Sequence, residues 1–148
     1  MNIRMAMVIG GVLAASATAA ETKVKLEELP PKVQETVRNE TKGVTLVGIS
    51  KEVEKGKTSY EVETKAGTKT RGMMIDADGK VTSVEEDADI NLIPTAARQA
   101  IQKKAGSSGT VKRVEMVTVK GAVFFEAQID NKGKTVEVAV NADGSHHR

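Results

Sequence analysis

The chain has 148 residues, 39% hydrophobic and 28% charged, an ordinary globular composition that excludes intrinsic disorder. The formal net charge is +2, with acids and bases interspersed; there is one Tyr, two Phe and no Trp, so no basic stripe with interleaved aromatics marks a nucleic-acid partner. Cysteine is absent, which excludes disulfides, a lipid-modified cysteine and a cysteine nucleophile, and leaves packing of Val, Ile, Leu, Met and Ala to hold the core.

Residues 1–20 read as a secretory signal. Arg4 is followed by an apolar run from Met5 to Ala15 and then by small residues at Ala17, Thr18 and Ala19. Cleavage is expected after Ala19 or Ala20. The run is too short to span a bilayer as a helix. A bacterial periplasmic or secreted, soluble chain is therefore expected, without stable membrane insertion after cleavage.

Next, "LPPKVQETVRNETKG" predicts a helix. Pro30 and Pro31 fall in its first turn, where a missing amide proton does no harm. Leu29, Val33 and Val37 recur every four residues as one apolar stripe, and Gly43 follows as a stop. Three strands are expected after it, "LVGISKEV", "TSYEVET" and "TRGMMID", each alternating apolar and polar residues between glycine-containing turns. The phrase "DADGK" at 76–80 reads as a turn. A calcium loop needs further oxygen ligands, and Lys80 and Val81 supply none. The acidic run from Glu85 to Asp89 reads as a solvated linker, its charge placed favourably before a helix N-terminus.

A second helix is predicted in "IPTAARQAIQKKAG", with Ile93, Ala97 and Ile101 on its stripe and Gly106 as its stop. The strands "VKRVEMVTV", "AVFFEAQID" and "TVEVAV" follow, and "NADGS" at 141–145 repeats the earlier turn. A self-alignment at an offset of 65 residues sets Gly56 on Gly121, Tyr60 on Phe125, Glu61 on Glu126 and Ile75 on Val140. A collinear series of this kind indicates duplication. The expected fold is α+β: two tandem αβββ units, at 21–85 and 86–148, each an antiparallel sheet covered on one face by a helix.

The Leu-Pro helix start, "YEVET" and "IDADGKV", echoed by "IP", "FFEAQID" and "VNADG", resemble the PepSY-like family over roughly Lys25 to Gly144. The resemblance implies an exported tandem αβββ protein similar in architecture to the β-lactamase-inhibitor protein. It also implies a binding or inhibitory role, since PepSY domains occur in propeptides of secreted metallopeptidases.

No catalytic set is evident, and no enzyme activity, cofactor or metal site is expected. The only histidines, His146 and His147, lie in a C-terminal tail expected to be mobile. Glu61 and Glu126 occupy equivalent outward strand positions. Alternation places Phe124 and Met74 on the face away from the helices, as exposed apolar anchors. Phe124, Met74, Glu61 and Glu126 are thus the candidate partner-binding residues, and another exported protein, for instance a peptidase, is the expected partner. The alternative is an envelope protein that binds a small molecule or metal in a cleft between the units or at the histidine tail. Oligomeric state is left open by the sequence.

Overall fold

The computed structural model describes residues 21–148, so the expected signal segment lies outside the described residues. Strand β1 (Thr22–Lys23) is followed by a single 3-10 turn at Leu26–Glu28 and by helix α1 (Pro31–Glu40). Pro31 opens the helix as expected, and Val33 and Val37 are fully buried on its inner face. Burial of each such side chain stabilises by about 1.5–3 kcal/mol. Thr41 closes α1, its amide and hydroxyl both donating to the Val37 carbonyl at 3.0 and 2.8 Å.

Strands β2 (Thr45–Glu54), β3 (Lys57–Ala66), β4 (Lys69–Asp76) and β5 (Val81–Asp87) come next. Helix α2 (Thr95–Ala105) then leads into β6 (Gly109–Val119), β7 (Ala122–Asn131) and β8 (Lys134–Val140). All eight strands form one sheet in chain order, every neighbouring pair antiparallel.

This corrects the expected fold class. The chain does not form two tandem αβββ units with a sheet each; it forms one continuous sheet of eight strands. The cause is β5, whose last three residues fall in the acidic run Glu85–Asp89 expected as a linker. "VTSVEED" is rich in β-branched residues, and it pairs on one side with β4 and on the other with β6, from Ser83↔Val119 to Asp87↔Glu115. Two separate sheets would leave two more unpaired edges, and β5 removes them by pairing on both sides. The boundary expected at 85/86 falls inside this strand.

Both helices pack on the same face of the sheet. Leu29, Val33 and Val37 meet Ile49, Tyr60, Val62, Met73 and Ile75. Ile93, Ala97 and Ile101 meet Val114, Phe125, Ala127 and Val140. The cross-strand row Met73↔Val84↔Thr118 joins the two regions, so the helix-bearing face is continuous.

The two acidic-glycine phrases are turns of matching geometry. In the first, the Asp76 amide donates to Lys80 O at 2.9 Å and the Gly79 amide to Asp76 O at 3.0 Å. In the second, the Asn141 amide donates to Ser145 O and the Gly144 amide to Asn141 O, both at 2.9 Å. Each turn seats against the first turn of a helix. A Cβ at Gly79 would lie 2.8 Å from Lys32 O, and one at Gly144 would lie 2.7 Å from Ala96 O. With φ at +84° and +82°, both positions demand glycine on two counts.

Candidate functional site

Alternation assigns the side chains opposite the helices to a second face, and no described helix packs on it. One direct cross-strand row there runs Glu63↔Gly72↔Glu85↔Val117↔Phe124. A second runs Ser50↔Glu61↔Met74↔Ser83↔Val119. Glu115 and Glu126 stand opposite each other on β6 and β7. This face therefore gathers carboxylates from β3 and β5–β7 around a short apolar strip.

All four residues expected to bind a partner, Phe124, Met74, Glu61 and Glu126, lie on this face. Phe124 and Met74 are not exposed anchors, however; they are 6% and 8% exposed. Phe124 is covered by the C-terminal tail, which corrects the expectation of a mobile end. His146 bridges to Val140, and the His147 amide donates to Ala139 O at 3.0 Å. His147 Nδ1 lies 2.8 Å from Asn141 Oδ1. The His147 ring stacks on Phe124 with centroids 3.7 Å apart and planes 8° apart. Backbone pairing and ring stacking together hold the tail to the sheet.

The acids are perturbed by their setting. Burial first, and then the charge of Glu52, pushes the Glu61 carboxyl up to about 7. Burial and then Glu115 push Glu85 up to about 7. Burial and then Glu85 do the same to Glu126. Removing a carboxylate from water disfavours its charged form, and like charges nearby add to that. Glu115 is also raised by burial, against the pull of Arg113 beside it. At the rim, Glu52 is raised by burial and by Glu21.

Glu85 is the residue that sequence reasoning missed. The acidic run reads as a solvated linker, yet Glu85 is 5% exposed. Among the described residues its carboxylate has no ion-pair partner within 4 Å. The usable signal was the β-branched run Val81, Thr82 and Val84 just before it, which marks a strand. Glu61 and Glu126 are not brought together. They lie on β3 and β7, four strand spacings or about 19 Å apart along the sheet. That distance excludes paired acid–base work between these two, and Glu85 lies on the strand midway between them.

A polar network locks β4, β5 and β6 at one end of the face. The Thr70 amide and hydroxyl donate to Asp87 Oδ2 at 2.7 and 2.9 Å. Arg113 Nε donates to Asp87 Oδ1 at 2.8 Å, and another guanidinium nitrogen donates to Thr70 Oγ1 at 2.6 Å. Arg113 also pairs with Glu115 at 2.9 Å. Burial alone would raise the Asp87 carboxyl, but the hydrogen bonds from Thr70 and Arg113 outweigh it and hold it below the ordinary range.

Among the described residues, no group of three or more His, Cys, Asp or Glu side chains has a geometry suited to a metal ion. A shallow groove of about 220 Å³ lies on the other side of the sheet edge, lined by Lys104, Ile129, Val136, Val138 and His146 among others. It falls below the range of roughly 300–1,000 Å³ typical of small-molecule sites.

No family model matches the chain, and no curated protein matches it. Solved structures do. A candidate periplasmic protein of Bacteroides eggerthii superposes with a TM-score of 0.66 at 17% identity, over 81% of this chain and 86% of the other. A DUF2874 family protein of Bacteroides uniformis gives 0.64 at 15% identity, over 80% and 86%. A BLIP-like protein of Bacteroides fragilis gives 0.59 at 17% identity, over 81% and 84%. Among the described residues, no helix is long and apolar enough to cross a membrane. At these identities the likeness is one of architecture, and the chain has a BLIP-like fold.

Proposed function

We propose that this chain is a non-enzymatic exported protein that docks another exported protein on the helix-free face of its sheet. Its action is steric: a preformed surface binds and blocks or positions its partner, without chemistry. The observation that carries this reading is a continuous eight-stranded sheet with both helices on one face, so that no described helix packs on the other. The likeness to a candidate periplasmic protein and to a BLIP-like protein supports export and a binding role. The finer idea, that the partner is a peptidase or other enzyme held inactive, rests on the resemblance of the sequence motifs to PepSY-like proteins.

Affinity capture with cross-linking in the native host tests the reading. The expected result is a protein cross-linked to residues on β3–β7 of the open face. Cross-links confined to the helices, or a capture that recovers nothing under gentle, low-salt washing, argue against it.

A further inference from the structure

The two halves of the chain treat the same sheet edge differently. In the first half the edge of β4 is covered by β5, through the pairs Arg71↔Glu86, Gly72↔Glu85 and Met73↔Val84. Arg71 fills the space between β5 and the end of α1, pairing with Glu40 at 3.1 Å and with Glu86 at 3.3 Å. Beyond the last pair, the Thr70 amide donates to the Asp87 carboxylate at 2.7 Å.

The second half has the edge without the strand. Offsets of 65 residues along the strands and 64 along the helices set β8 on β4, with Val136 in the place of Arg71 and Lys104 in the place of Glu40. The chain enters the same lane after the matching turn, where His146 bridges to Val140 as Val81 pairs with Ile75. Among the described residues, no strand lies outside Thr135 to Val138. Ala139 accepts the His147 amide on its outer side, so alternation turns the amides and carbonyls of Glu137 and Thr135 outward too. Both residues are exposed, and β8 carries no proline and no bulge against β7 to blunt its edge. On the helix side, the groove lined by Lys104, Ile129, Val136 and Val138 stands where Arg71 and β5 lie in the first half. Val136 is 45% exposed in it. Lys134 shares the face of Val136 by alternation, and among the described residues neither Lys104 nor Lys134 has an ion-pair partner.

We propose that the outer edge of β8 takes a ninth strand from another exported protein: an extended acidic segment, antiparallel to β8, with a carboxylate over Val136 directed to Lys104 and Lys134. Outward backbone groups on a regular edge call for a strand. A basic rim above an apolar floor calls for acids alternating with β-branched residues. A second copy pairing through its own β8 would carry another Lys134 to the same basic rim, which disfavours self-pairing. This edge lies apart from the helix-free face, so the proposal stands independently of docking there.

The test titrates a synthetic peptide of the β5 sequence, "VTSVEED", into the purified, isotope-labelled protein and follows its amide resonances. In the free protein the Thr135 and Glu137 amides are expected to exchange rapidly at every protein concentration. With peptide, resonances of Thr135 to Val138 and of Lys104 shift, and both amides become protected. A peptide with its acids replaced by lysines binds at least about tenfold more weakly. Lys104→Glu weakens binding of the acidic peptide about tenfold, and Lys103→Glu, an equal change at an exposed position outside the groove lining, by less than about threefold. No shift at this edge by about 1 mM peptide, or equal losses in the two lysine variants, overturns the proposal. Protection of both amides in the free protein overturns it as well. Protection that grows with protein concentration makes the edge a contact between copies, and protection independent of concentration means that the chain covers the edge itself.

Discussion

Replacing Glu85 with Gln keeps the shape of the side chain and removes its titration. Burial, then Glu115, raises this carboxyl from 4.5 to about 7 in the folded protein. The sign follows from linkage. A raised folded value means that folding favours the neutral form, so the contribution is fully present below 4.5 and is lost as pH rises through 7. At about 1.4 kcal/mol per pH unit, that rise corresponds to about 3 kcal/mol. Glu85 is 5% exposed, so little of this is screened by solvent. Glu85→Gln is therefore expected to match the unaltered protein near pH 4.5 and to exceed it by about 2–3 kcal/mol above pH 8. For a domain of this size, that is a Tm gap of about 10 °C. Urea and thermal unfolding across this pH range measure it. Parallel stability curves for the two proteins would refute both the burial of a charged Glu85 and the crowding of acids on this face.

Arg113→Ala should destabilise by about 3–4 kcal/mol in urea unfolding, because it strands the buried Glu115 and cuts the tie across β4, β5 and β6. Loss below about 1 kcal/mol would mean that solvent replaces the guanidinium at little cost. His147→Ala should lower stability by about 0.5–1.5 kcal/mol and shift the Phe124 ring resonances, since the stacked cover is gone. Unchanged Phe124 resonances would contradict the stacking. Gly79→Ala and Gly144→Ala should each cost about 2–4 kcal/mol, combining a left-handed backbone with a clash against a helix carbonyl. Gly133→Ala, at φ +82° but with nothing within 4 Å of the new Cβ, should cost only about 1 kcal/mol. Equal losses at all three would remove the helix contact from the explanation.

The sequence by itself determined the local elements. Alternation in "YEVET" and "FFEAQ" specified strands and told Phe124 from Phe125, because the pleat has a fixed period of two. The Leu29–Val33–Val37 and Ile93–Ala97–Ile101 stripes specified helices and the residues they bury, and both acidic-glycine phrases were legible as turns. These are properties of neighbours in the chain. The tertiary structure alone decided the rest. Whether Val81–Asp87 links two sheets or joins them depends on β4 and β6 both offering it an edge, which no local pattern encodes. The return of His147 onto Phe124 closes a loop of more than twenty residues, and the placing of Glu61, Glu85 and Glu126 on one face requires five strands in register. Each carboxylate was visible as a polar residue on a strand or linker. Its unusual proton affinity comes from burial and from the charge of neighbours distant in sequence, and those exist only once the sheet has formed.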